Sequence, residues 1–163
     1  MRLSPRASGF LVAALTLAVD QGHKIWMLDV FDIAARQPVA LTPFLDLVMA
    51  WNPGISYSLL SAQTPEGRLG LLAVALVATL LLGVWLWRAQ ERITTVGLGL
   101  IVGGALGNAW DRFAYGAVAD FFHFHVGGFH WYIFNIADVA IVAGVGLLLY
   151  ESLFMTGTKN ETA

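Results

Sequence analysis

The chain has no cysteine. Disulfides, thiolate metal centres and a cysteine nucleophile are therefore excluded, while the redox compartment stays open. Charge is scarce as well. Asp, Glu, Lys and Arg make up 12% of the 163 residues, and the formal net charge is −2 with no basic run. That balance offers nucleic acid no electrostatic footprint, so no nucleic-acid partner is expected. Arg2 and Arg6 precede an apolar run, as in a secretory leader, but no small-x-small cleavage pattern follows and Asp20 interrupts the run. It reads as an uncleaved first span. What the chain does have is hydrophobic side chains, 58% of residues, with a mean hydropathy of +0.70. This is the composition of a polytopic membrane protein, and its length holds about four spans of roughly 20 residues each. A single domain over residues 1–163 is expected.

Four apolar runs predict membrane helices over about residues 9–28, 69–87, 93–111 and 133–154. Thr64-Pro65-Glu66 supplies a start for the second: a capping hydroxyl, a proline at the first helical position and an acid in the first turn. Trp85, Trp87 and Arg88 mark an interface at its far end. With four spans, Arg2, Arg6, Arg88, Arg92 and Lys159 share one side on short flanking segments, so both termini are expected in the cytoplasm. Asp20, Asp111, Asp120 and Asp138 then lie near the outer face. Residues 45–51 alternate and lean toward strand, and Asn52-Pro53-Gly54 is a turn signal. The fold class expected is an all-α membrane protein: four transmembrane helices, a small extracytoplasmic β element, and an aromatic interfacial loop between helices 3 and 4 able to act as a flap.

Asp138 heads the last apolar run, and Asp120 precedes it by 18 positions, after the third run. An ionisable group inside a membrane segment is costly and is by default a functional candidate. Two acids brought to the same end of adjacent helices form a candidate acid–base site, with Arg112 or Lys24 as the expected partner if the acids are merely ion-paired. Asp20 and Lys24 are four apart and predict an ion pair on one helix face. Lys24 as a base for Ser56, Ser58 or Ser61 is the competing reading, but no Gly-x-Ser-x-Gly turn is present. Gly99, Gly103 and Gly107 recur every four residues, which suits close helix packing in lipid. Asn108, Asp111 and Arg112 share a face, a trio able to bond to one another and to hold a catalytic acid or a substrate backbone. Asn135 and Asp138 are also cofacial, an arrangement suited to orienting a carboxylate or a scissile carbonyl. His23, His123, His125 and His130 read as interfacial or loop residues, and a metal site built from the last three is disfavoured.

Five ordered blocks also carry a family resemblance: Asp20-Gln21-x-x-Lys24, Asn52-x-Gly54, Gly103-Gly104-Ala105-x-Gly107-Asn108-x-x-Asp111-Arg112, Val118-Ala119-Asp120-Phe121 and Phe134-Asn135-x-Ala137-Asp138. Over nearly its whole length the chain resembles the lipoprotein signal peptidases (signal peptidase II), bacterial integral-membrane aspartyl peptidases. One departure is Tyr57-Ser58, where the family often has an Ala-Phe-like pair. The resemblance implies catalytic aspartates at Asp120 and Asp138, with supporting or substrate-binding positions at Asp20, Lys24, Asn52, Gly54, Asn108, Asp111, Arg112, Asn135 and Ala137. It implies no metal and no cofactor. The implied substrate is a lipidated prolipoprotein met at the surrounding lipid and cut just before its diacylglyceryl-modified cysteine, in the bacterial inner membrane, by an enzyme expected to be monomeric. Two readings from other classes are a proton- or ion-coupled transporter and a structural membrane adaptor. The acids cluster at one face and form no ladder through the membrane, which speaks against transport.

Overall fold

The computed structural model describes residues 3–54 and 64–155. Helix α1, Pro5–Ile25, starts where the Ser4 hydroxyl accepts the Ala7 amide at 3.3 Å and Pro5 takes the first turn, where its missing N–H costs nothing. A single π-helical turn, Trp26–Val30, ends it, and the short helix α2, Ile33–Arg36, follows. Strands β1 (Val39–Thr42) and β2 (Leu45–Asn52) come next. Helix α3, Pro65–Arg88, begins at the expected signal: Thr64 Oγ1 accepts the Gly67 amide at 3.1 Å. Helix α4 spans Arg92–Tyr115 and ends on Gly116 at φ 77°, a left-handed cap that favours glycine. Strands β3 (Val118–Val126) and β4 (Phe129–His130) then lead to helix α5, Ile136–Phe154.

Among the described residues three helices are long and apolar enough to cross a membrane: Glu66–Arg88, Arg92–Tyr115 and Ile136–Phe154. The described residues are mostly helix with one small antiparallel sheet, order β1-β2-β3-β4. The expected small β element is present, but the stretch expected as an interfacial loop between the last two long helices is strand, β3 and β4. The aromatic stretch from Val118 pairs with β2 along most of its length, from Asn52↔Val118 to Leu45↔Phe124, and turns back at Gly127, φ 58°. Its strand period is hidden because apolar residues face both ways. Ala119 and Phe121 enter a small core with Met27, Ile33 and Leu47, while Phe122 packs against its margin.

Helix α4 is the hub, packed on α1, α3 and α5. The expected glycine row faces α1: a β-carbon at Gly99 or Gly103 would strike the backbone carbonyl of Gly9 or Ala13, and one at Gly107 would strike the Asp20 carboxylate. A second row, absent from the sequence reading, faces α5, with Gly97 against Gly144 and Gly104 against the Ala137 carbonyl. Close approach on both sides leaves little room around the polar end of α4, and that is where the acids gather.

Candidate active site

The sheet and two helices each deliver part of one polar centre. Asp120 sits on β3, opposite Ala50 of β2, and not at a helix mouth as the sequence suggested. The register brings Asn52 within reach: its Nδ2 donates to Asp120 Oδ2 at 3.1 Å. Asn52 is itself held by a turn, since its Oδ1 accepts the Gly54 amide at 3.0 Å and Gly54 has φ 116°. A side chain is strained in that conformation, which explains glycine at this position.

Asp138 is the third residue of α5 and completes a capping box with Asn135. The Asp138 amide donates to Asn135 Oδ1 at 3.0 Å, and the Asn135 amide donates to Asp138 Oδ2 at 3.2 Å. Capping alone accounts for that arrangement, but not for the other contacts. Asn135 Nδ2 donates to Asp120 Oδ1 at 2.6 Å, so one residue bridges the two acids. Asn108, from α4, donates through Nδ2 to Asp138 Oδ1 at 2.9 Å, while its Oδ1 accepts from Asn135 Nδ2 at 3.1 Å and Lys24 Nζ at 3.2 Å. An ammonium only donates, which fixes which end of the Asn108 amide faces Asp138.

Behind this lies a dry ionic cluster. Lys24 Nζ is 2.9 Å from Asp20 Oδ2 and 2.8 Å from Asp111 Oδ2, and neither carboxylate has any exposure. The i,i+4 pair of Asp20 and Lys24 is as expected. Lys24 does not pair with Asp120 or Asp138, and Asn108, Asp111 and Arg112 do not interlock through their side chains. They divide instead: Arg112 Nη1 donates to the Asn108 carbonyl at 3.2 Å, Asp111 turns to Lys24, and Asn108 turns to Asp138. Arg112 remains within electrostatic reach of Asp138, Asp120 and Asp111. Ala137 is fully buried where α5 crosses Gly104 and Gly107, and its amide donates to Asp20 Oδ1 at 3.0 Å.

Burial pushes the Asp120 carboxyl up to about 6. The Asp138 charge adds to the rise, while the Asn52 and Asn135 amides and Lys24 oppose it. Asp138 also lines an apolar groove of about 370 Å³ with Trp131, Tyr132, Phe134, Val139, Val142 and Ala143. A larger groove of about 550 Å³ backs onto Gln21 and includes neither acid in its lining.

His23 lies in α1 against Phe121 and Phe122, while His123, His125 and His130 form a separate group. His130 Nδ1 and His123 Nε2 are 3.3 Å apart, and His125 lies 3.0 Å from Asp46. Among the described residues no three acid or imidazole side chains converge on a point that a metal would occupy. Ser56, Ser58, Ser61 and the Tyr57-Ser58 departure lie outside the described residues. The sequence reading assigned nothing to Gln21, whose Nε2 meets Asp20 Oδ2 at 3.1 Å, Asp111 Oδ1 at 3.0 Å and the Gly107 carbonyl at 3.2 Å. Neighbouring helix positions do not face one another, so periodicity alone sets Gln21 off the Asp20–Lys24 face.

Apolar helices around a sealed polar centre, with a sheet across it, define a membrane protein built to hold charge at one end of its bundle. The family model described as Signal peptidase (SPase) II matches residues 12–154. A lipoprotein signal peptidase of Methylocella silvestris is 63% identical over 164 residues, covering 98% of this chain and 96% of that one. One from Beijerinckia indica subsp. indica is 57% identical over 150 residues, covering 92% and 90%. A solved structure described as a bacterial membrane enzyme superposes with a TM-score of 0.80 at 26% identity, covering 96% of this chain and 94% of its own. The chain belongs to the signal peptidase II family: it is a bacterial membrane peptidase that removes signal peptides from lipoproteins.

Proposed function

We propose that Asp120 and Asp138 are an aspartyl dyad that hydrolyses the peptide bond just before the lipidated cysteine of a prolipoprotein. The observation that carries this reading is the Asn135 bridge: one asparagine bonds to both carboxylates, and Asp120 is buried with its carboxyl raised to about 6. Two close acids share a proton more readily than both ionise. Asp138, the more exposed of the two, takes a proton from water as the water attacks the carbonyl. Asp120, the protonated partner, donates to the carbonyl oxygen; as the C–N bond breaks, Asp138 passes the proton it took from water to the leaving amine, and Asp120 recovers its own from the diol oxygen as the carbonyl re-forms. No metal or covalent intermediate enters this scheme.

The same reading makes the whole chain one peptidase domain and α1 a fourth span. A helix of 21 residues reaches about 30 Å at 1.5 Å per residue, enough for a hydrocarbon core. Its hydropathy is lowered by Asp20 and Lys24, which are buried in protein, while Phe10, Leu11, Leu15, Val19 and Ile25 stand exposed as lipid-facing residues would. Arg6, Arg88 and Arg92 gather at the other end of the bundle, where Arg92 donates to the Leu3 carbonyl at 2.9 Å. The positive-inside rule makes that end cytoplasmic and sets the dyad near the outer face. The groove beside Asp138 then runs along α5 into the bilayer, where an apolar signal helix arriving sideways can lie with its cleavage point at the acids.

Purified protein in detergent, given a diacylglyceryl-cysteine peptide, is expected to cut on the amino side of that cysteine, equally well with or without a chelator. Cleavage at any other bond would overturn the proposed cleavage point. Loss in chelator with recovery on zinc would shift the chemistry to His123, His125 and His130.

A further inference from the structure

The peptide N–H groups just before the two acids are both held by buried carboxylates. The Ala119 amide donates to Asp111 Oδ2 at 3.1 Å, and the Ala137 amide donates to Asp20 Oδ1 at 3.0 Å. Lys24 joins those two carboxylates, at 2.8 and 2.9 Å, and Gln21 Nε2 spans the same gap a second time, at 3.0 and 3.1 Å. Resting on the dyad reading above, we propose that Asp20, Gln21, Lys24 and Asp111 are positioning residues that set the spacing of Asp120 and Asp138, one arm to each acid.

A plain ion pair closing a helix would need only Asp20 and Lys24. It leaves unexplained a second buried acid, the doubled crossing by Gln21, and the matching grip on the residue before each aspartate. Spacing is worth this much structure because the acids arrive on unlike elements, Asp120 on β3 and Asp138 in the first turn of α5. When ionised they repel, and among the described residues Asn135 alone bridges them directly. Holding the N–H of the preceding residue restricts how the chain enters each aspartate, and catalytic groups must be held within about 0.5 Å. The holder is itself fixed: α1 and α4 meet at glycines, and Lys24 spends all three of its protons, the third on Asn108 Oδ1 at 3.2 Å. That last bond reaches Asp138 too, through the orientation of the Asn108 amide.

The test uses the full chain in detergent and a fluorogenic diacylglyceryl lipopeptide, with kcat expressed per folded molecule and KM measured alongside. Gln21→Leu removes no charge and places leucine beside Leu17, Ile25, Leu72 and Leu76, so folding is retained. It is expected to lower kcat about tenfold with KM within about twofold, and Lys24→Met about a hundredfold at similar KM, the loss typical of reacting groups displaced by about 1 Å. A kcat within about twofold of the parent in Gln21→Leu, or a change confined to KM, overturns the proposal; if Lys24→Met does not fold, Gln21→Leu alone decides. Asp120→Asn and Asp138→Asn are assayed in parallel. If they keep turnover, the dyad reading falls and the positioning role with it. If they lose turnover while Gln21→Leu keeps its kcat, only the positioning role falls.

Discussion

Asp120 is held in a place that suits its neutral form. Its carboxyl titrates near 6 in the folded chain because burial disfavours the charge and Asp138 repels it, while the Asn52 and Asn135 amides only partly compensate. Raised above the usual value of 3.8, the group binds its proton more tightly folded than unfolded, so stability falls as pH rises through that window. Asp120→Asn should therefore melt higher than the parent at pH 7 to 8 and lack the decline expected of the parent between pH 4 and 6. Identical pH dependence of thermal unfolding in the two proteins would show that Asp120 carries no such strain. Activity should fall on the alkaline side near pH 6, a limb belonging to the coupled pair, and Asn52→Ala should move that limb upward by removing a bond to the charged form. At this scale the sequence is readable where partners share a helix face. Asp20 with Lys24 and Asn135 with Asp138 follow from spacing. Lys24 with Asp111, and Asn135 with Asp120, depend on which helices and strands meet, and no local period encodes that.

Helix α4 shows what an element's glycines are for. Gly103 lies so close to α1 that a β-carbon would come within 2.5 Å of the Ala13 carbonyl, whereas at Gly83 in α3 nothing lies within 4 Å. Gly103→Ala should cost roughly 1–3 kcal/mol by forcing the helices apart, and activity should drop further as Asp20 and Asp111 separate. Gly83→Ala should be neutral or stabilise by up to about 1 kcal/mol, because alanine is the better helix former. Thermal unfolding in detergent measures both; equal effects would mean that the close packing of α1 on α4 is absent. The four-residue glycine period was plain in the sequence, as was the start of α3 at Thr64-Pro65-Glu66. Strand β3 was not, because Phe121, Phe122 and Phe124 present apolar surface on both faces and erase the alternation that marks a half-buried strand.

For the molecule as a whole, membrane class was legible in composition, and so was the candidate site, once five separated blocks were taken together. The sheet's role in carrying Asp120 was not, since pairing of β2 with β3 joins segments about 70 residues apart. Orientation is testable because the chain has no cysteine of its own. In intact cells a membrane-impermeant thiol reagent should label Ala35→Cys and spare Gln90→Cys, both exposed positions; the reverse pattern would put the dyad on the cytoplasmic side. The central claim, hydrolysis by two carboxylates, is most directly tested by turnover of one diacylglyceryl lipopeptide with Asp120→Asn and Asp138→Asn. Asparagine keeps the shape and most of the hydrogen bonds but can neither take up nor release the proton. Each variant should remain folded in the membrane and lose at least about 10³-fold in kcat. Near-parental kcat in either one would contradict the dyad.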